Sequence, residues 1–166
     1  MRTSINYLNN LIFSLLPEDR CFAFKRFMWR LAGIQVGKNV KIRSSVKIFG
    51  AGDLIIGDDC GINSQVTIVS SSKITIGVNV GIAPRVYIGT GTHNINPNAP
   101  RISCGDISKD VIIGDGSWIC INATILPGTQ IGKKCIVAAG AVVNGIFNQD
   151  KILIGGIPAK VLKTYD

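Results

Sequence analysis

One histidine stands among the 166 residues, and that scarcity excludes a good deal of chemistry. A zinc site needs about three His or Cys ligands converging on one point. The five cysteines, Cys21, Cys60, Cys104, Cys120 and Cys135, are odd in number, scattered and without a C-x-x-C pair, so no metal is expected. They read as small apolar thiols of a reduced, cytoplasmic protein. Long hydrophobic runs are missing as well. The stretch Leu11–Leu16 is only six residues long and is followed by Pro-Glu-Asp-Arg, so neither a membrane span nor a cleavable export signal is expected. Charged residues make up 17% of the chain, below the ~25% of ordinary soluble domains, and acidic ones are the scarcer kind, 10 against 18 Lys+Arg. The resulting +8 favours anionic ligands. No basic run is present beyond Lys25-Arg26 with Arg20 and Arg30 near it, which argues against a nucleic-acid patch.

Glycine, by contrast, is plentiful at 19 residues, and it accompanies a repeat. Aliphatic residues recur every six positions in triplets: Val36, Ile42, Ile48; Ile56, Ile62, Ile68; Ile76, Ile82, Ile88; Ile113, Ile119, Ile125; Ile131, Val137, Val143. Every insertion falls after the third member of a triplet. A period of six suits short strands joined by turns, because side chains alternate faces and each turn restores the same phase to the inside. The pattern predicts an all-β solenoid of about five three-sided coils, with insertions confined to one corner. Four residues after the marker the residue is usually small or β-branched, as at Val40, Cys60, Val80, Ser117 and Ala141, which fits a narrow interior. Gly37, Gly57, Gly77, Gly114 and Gly132 follow first-column markers, where the lack of a Cβ is expected to permit unusual turn dihedrals.

Residues 1–33 precede the repeat and form a helical cap, with 34–166 as the solenoid. Leu8, Leu11, Ile12, Leu15 and Leu16, then Phe24, Phe27, Met28 and Leu31, keep helical spacing and predict two short amphipathic helices over the first coil. Peripheral contact with a membrane through Arg20, Lys25, Arg26 and Arg30 is the alternative use of these helices.

The largest insertion, within 89–112, carries His93. Long loops on rigid repeats are commonly functional. Ser71, Ser72 and Lys73 belong to the same corner one coil earlier, about 4.8 Å away, and should adjoin it, with Asn63 on the face leading there. No second acid or base is evident, and Asn79 or loop carbonyls are the candidates to orient the ring. A Ser-His-Asp hydrolase is disfavoured, since Gly116-Ser-Trp-Ile-Cys120 is not a G-x-S-x-G elbow. What remains is single-step transfer with one His taking a proton from an acceptor hydroxyl or amine.

From about Val36 to Lys163 the chain resembles the hexapeptide-repeat acyltransferases, in particular the galactoside and maltose O-acetyltransferases and their polysaccharide-biosynthesis relatives. The resemblance rests on Asn63-x-x-x-Thr67-Ile-Val, Ile76-Gly-x-Asn-Val80-x-Ile-Ala-Pro84, His93, Val111-Ile-Ile-Gly-Asp115-x-x-Trp118-Ile, Ile125-x-Pro-Gly128, Ala139-Gly-x-Val-Val143 and Gly156-x-Pro-Ala-Lys160. It implies a left-handed parallel β-helix, a homotrimer with sites between prisms, and acetyl-CoA as co-substrate. It implies further that His93 is the general base, that Asn63, Ser71 and Arg85 meet the acceptor, and that Trp118, Cys120, Ile121, Ala139, Ile157, Pro158 and Lys160 line the cofactor path. Ser71 stands where the galactoside and maltose enzymes carry a sugar-binding Asp, and Cys120 where Trp-Ile-Gly is usual. The reading that follows is O-acetylation of a sugar or glycan in surface polysaccharide biosynthesis. N-acetylation of an amino sugar or antibiotic is the alternative, and a non-catalytic β-helix assembly module is the alternative outside enzymes.

Overall fold

The computed structural model describes residues 1–166. Three parallel sheets form the sides of a prism. The first side runs from Gln35–Val36 through Leu54–Ile56, Ile74–Ile76, Val111–Ile113 and Gln130–Ile131 to Ile146–Phe147. The second runs from Lys41–Ile42 through Gly61–Ile62, Gly81–Ile82, Trp118–Ile119 and Ile136–Val137 to Ile152–Gly156, where Ala159–Thr164 folds back antiparallel. The third runs from Lys47–Phe49 through Thr67–Val69, Tyr87–Gly89 and Thr124–Ile125 to Val142–Val143. This is the three-sided solenoid that the hexad predicts and the left-handed β-helix that the resemblance implies.

Register explains the hexad. On the first side Ile56 stacks on Val36, Ile76 on Ile56, Ile113 on Ile76 and Ile131 on Ile113. The other two sides repeat the pattern, and all fifteen markers are buried, as are the small residues that follow them. Burying each such aliphatic side chain contributes about 1.5–3 kcal/mol, so the ladder dominates stability. A sixth, incomplete turn follows the five expected ones. It escapes the six-residue count because Phe147 replaces the aliphatic marker only four residues after Val143, yet Phe147 pairs with Ile131 and Ile154 with Val137.

The glycines after the first-column markers serve a different purpose from the one expected. None of the five has positive φ. Instead the coils approach so closely there that a Cβ on Gly57 would lie 2.6 Å from the Gly77 carbonyl carbon, and one on Gly132 2.6 Å from the Gln149 oxygen. The left-handed turn positions are filled by residues such as Asn39, Asp59 and Asn79, at φ 53°, 58° and 55°; short polar side chains tolerate this region.

Aspartates brace the same corner by accepting backbone N–H groups of the neighbouring coil. Lys38 donates to Asp58 at 2.7 Å, Val78 to Asp115 at 3.0 Å and Lys133 to Asp150 at 2.7 Å. The Lys133 ammonium, 3.0 Å away, and then the Val78 N–H hold the Asp115 carboxyl below its usual range. A carboxyl lowered in the folded state stabilises above its unfolded pKa of about 3.9, and that contribution disappears as pH falls through the folded value. Asp115→Ala should therefore lower Tm at neutral pH and lower it less near about pH 3. Thermal melts of both proteins at the two pH values test this, and equal losses would contradict it.

Helix α1 (Thr3–Ser14) and helix α2 (Phe22–Leu31) close the first coil. Their inward faces are not the apolar ones expected. An end coil presents backbone donors and acceptors as well as a core, and polar side chains meet them. Buried Asn10 donates to the Ile48 carbonyl at 2.9 Å and accepts the Ile48 N–H at 3.2 Å, in the manner of a further strand. Arg30 and Arg26 donate to the carbonyls of Val36 and Val40. Phe13 and Trp29, ring centroids 5.2 Å apart, fill the space between. Of the expected apolar stripes, Ile12, Leu16 and Met28 pack against the core, whereas Leu8, Leu11, Leu15, Phe24, Phe27 and Leu31 remain exposed. No helix is long and apolar enough to cross a membrane.

Candidate active site

The excursion within 89–112 is a β-hairpin. Gly91–Ile95 pairs antiparallel with Ser103–Ser108, placing Asp106 opposite His93. The register slips between His93 and Asn94, and Gly105, at φ 65°, is the extra residue of a bulge. Bulges re-aim neighbouring side chains, and here Asp106 Oδ1 lies 2.9 Å from His93 Nδ1. A carboxylate on Nδ1 fixes the tautomer with the proton at Nδ1 and leaves Nε2 as the accepting nitrogen. Neither Asn79 nor a loop carbonyl is needed to orient the ring. Asp106 is the second acidic group that sequence reasoning missed: nothing in the hexad bears on the hairpin, and only its strand alternation could have set Asp106 across from His93.

The expected neighbourhood at this corner forms. Ser71 shares with Gly91, Thr92, His93, Asp106 and Ser108 an open cleft of about 490 Å³. Fully buried Thr90 anchors it: its Oγ1 accepts the N–H groups of Ser71 and Ser72 at 2.7 and 3.0 Å, and its carbonyl accepts the N–H of Lys109 at the hairpin's return. Both strands of the hairpin thus start from a fixed base.

The remaining residues singled out in the sequence lie elsewhere in the chain. Asn63, expected on the face leading to His93, sits at the second corner, with its amide donating to the Ile82 carbonyl at 3.0 Å and its oxygen accepting from Arg43 at 3.2 Å. Arg43 is in turn ion-paired with Asp19. Arg85 occupies the same corner one coil on, exposed and at φ 60°. Cys120, Ile121 and Ala139 continue that corner along the prism, and Ile157, Pro158 and Lys160 form the exposed turn and return strand at its far end. The Cys120 N–H is already engaged by the Val137 carbonyl, at 2.9 Å. Those of Ile121 and Ala139 donate to no protein group and are open to a ligand. Burial pushes the Cys120 thiol up from its ordinary value, which makes it a poor nucleophile. Trp118, 53% exposed, lies on the second side between Gly81 and Ile136, with Gly81 leaving space beneath the indole. The residues thus fall into two groups: an acid–base pair at the third corner, and the Ile121 and Ala139 N–H groups at the second, with the Trp118 indole on the side that leads to it.

Comparison with known proteins gives consistent results. The family description "Bacterial transferase hexapeptide (six repeats)" matches residues 110–145. Two Escherichia coli proteins are each 31% identical to this chain. The one named "Putative lipopolysaccharide biosynthesis O-acetyl transferase WbbJ" aligns over 89% of this chain and 80% of its own length. The other, "Putative colanic acid biosynthesis acetyltransferase WcaF", aligns over 92% of this chain and 80% of its own. Among solved structures, a hexapeptide-repeat-containing acetyltransferase of Vibrio cholerae complexed with acetyl coenzyme A superimposes with a TM-score of 0.76. It is 25% identical, over 98% of this chain and 86% of that one. A galactoside acetyltransferase in complex with coenzyme A, 23% identical, shares the fold with a TM-score of 0.72 over 99% and 81% of the two chains.

Proposed function

Since the chain belongs to the hexapeptide-repeat transferases and is an acyltransferase, we propose that it moves the acetyl group of acetyl-CoA onto a sugar hydroxyl during surface polysaccharide biosynthesis, in the cytoplasm and as a homotrimer. The observation that carries the chemistry is the His93–Asp106 pair at the mouth of the cleft. His93 Nε2 accepts the acceptor's hydroxyl proton as the oxygen attacks the thioester carbonyl. The tetrahedral intermediate then collapses, the C–S bond breaks, and the imidazolium returns the proton to the departing CoA thiolate. Asp106 holds the ring and balances the transient imidazolium charge. No acyl-enzyme is involved.

The site residues divide into two half-sites, and the cofactor occupies the one at the second corner. The N–H groups of Ile121 and Ala139 suit pantetheine amides or the developing oxyanion, Trp118 walls the thiol end, and exposed Ile157, Pro158 and Lys160 take the adenine and phosphates. The acceptor bridges the two corners, with Asn63 and Arg85 at the second and Ser71 beside His93 at the third as its contacts. A threefold assembly that sets the third corner of one prism against the second corner of the next unites the halves.

Calorimetric titration with acetyl-CoA needs no knowledge of the acceptor. One site per chain with sub-millimolar affinity is expected, together with a trimeric mass in sedimentation equilibrium. Absence of binding heat at several temperatures would transfer the weight to a non-catalytic β-helix.

A further inference from the structure

The cap carries a surface that acetyl transfer does not use. Helices α1 and α2 touch each other through Phe13, Phe24 and Trp29, and through the Asn9 amide that donates to the Met28 carbonyl at 2.9 Å. Each lays a second flank on the first coil through Asn10, Arg26 and Arg30. Of the residues left exposed on the two helices and at the end of α1, six are large and apolar: Leu8 at 51%, Leu11 at 64%, Leu15 at 83%, Phe24 at 44%, Phe27 at 56% and Leu31 at 47% exposure. Leu8, Leu11 and Leu15 follow at helical spacing, as do Phe24, Phe27 and Leu31, so each of the two packed helices carries an exposed apolar stripe, and clustered exposed apolar residues mark an interaction.

Charge identifies the occupant. Residues 1–47 hold nine Lys+Arg and two acidic side chains, whereas residues 48–166 hold nine and eight, so nearly all of the +8 resides at this end. Of those nine, Arg43 alone is ion-paired. The set expected from sequence is corrected in part: Lys25 is buried with its Nζ on the Pro17 and Glu18 carbonyls, and Arg26 and Arg30 are spent on the first coil. Exposed Arg2 and Arg20 and the lysines of the first coil supply the field instead. Two copies of this end brought face to face would repel each other, whereas exposed apolar stripes at a cationic end of the molecule suit an anionic lipid surface.

We propose that the α1–α2 face docks on anionic membrane, the six side chains entering the headgroup boundary while Arg2 and Arg20 meet lipid phosphates. The test is co-sedimentation with phosphatidylglycerol–phosphatidylcholine vesicles and with phosphatidylcholine vesicles. Preferential binding to the anionic vesicles is expected, weakening with salt and falling about tenfold or more in Leu11→Glu/Phe27→Glu. Both substituted residues are exposed, so the variant should keep the wild-type melting curve and acetyl-CoA affinity. Three results would each overturn the proposal: no binding to either vesicle, undiminished binding by the double variant, or a larger oligomer of the wild type that the same substitutions dissolve, which would make a second copy the occupant.

Discussion

Alanine at His93 is expected to lower acetyl transfer by about 10²–10⁴-fold, the range that a positioned general base contributes, while leaving acetyl-CoA affinity and assembly unchanged. The reasoning is local. His93 stands in an exposed hairpin outside the aliphatic ladder, so its removal takes nothing from the core. The accepting nitrogen is Nε2 because Nδ1 is held by Asp106 at 2.9 Å. Asp106→Asn keeps the shape and removes the charge that balances the imidazolium, and a loss of roughly tenfold is expected for one charged hydrogen bond. A positioning role requires that loss in kcat with KM for acetyl-CoA unaltered. Measured with a thiol-release assay, near-normal turnover by His93→Ala would remove the base from the mechanism.

The second large effect is expected in the prism. Gly57→Ala adds one methyl group where the Gly77 carbonyl carbon and oxygen and the Val78 nitrogen already lie within 2.6–2.7 Å. These are backbone atoms of the next coil, fixed by their own ladder, so relief requires separating coils. A cost of about 3 kcal/mol, or roughly 10 °C in Tm, follows. Gly61→Ala is the matched control: its Cβ would meet nothing within 4 Å, and Tm should change by at most about 2 °C. Similar losses in both would mean that glycine acts here through chain flexibility and not through the closeness of the coils.

The contrast between these two glycines bears on what a sequence can disclose. The period of six exposed the ladder because each marker is repeated by an identical environment one coil away, as with Ile62 between Ile42 and Ile82. That argument weakens wherever the environment stops repeating. At the last turn Phe147 takes an aliphatic place out of step. At the first, α1 meets open backbone, so Asn6, Asn9 and Asn10 go inward and Leu11 outward, the reverse of an amphipathic reading. The reason for Gly57 is also invisible in the chain, since a glycine required by a neighbour at 2.6 Å and one required by a dihedral look alike. Likewise, His93 was legible as the lone histidine, on the longest insertion, but its partner was not, because Asp106 is brought to it by hairpin register and a bulge at Gly105.

The excursion also leaves the ladder uninterrupted. Ile74–Ile76 pairs directly with Val111–Ile113, and Tyr87–Ile88 with Thr124–Ile125, as though the intervening hairpin were absent. The third corner is consequently a socket: segments of different length and sequence can be seated there between Thr90 and Lys109 while the stack above and below is conserved. A scaffold of this design separates the residues that build the stack from those that shape the cleft at its side. Replacing this one hairpin would therefore remodel the cleft around His93 without rebuilding the prism.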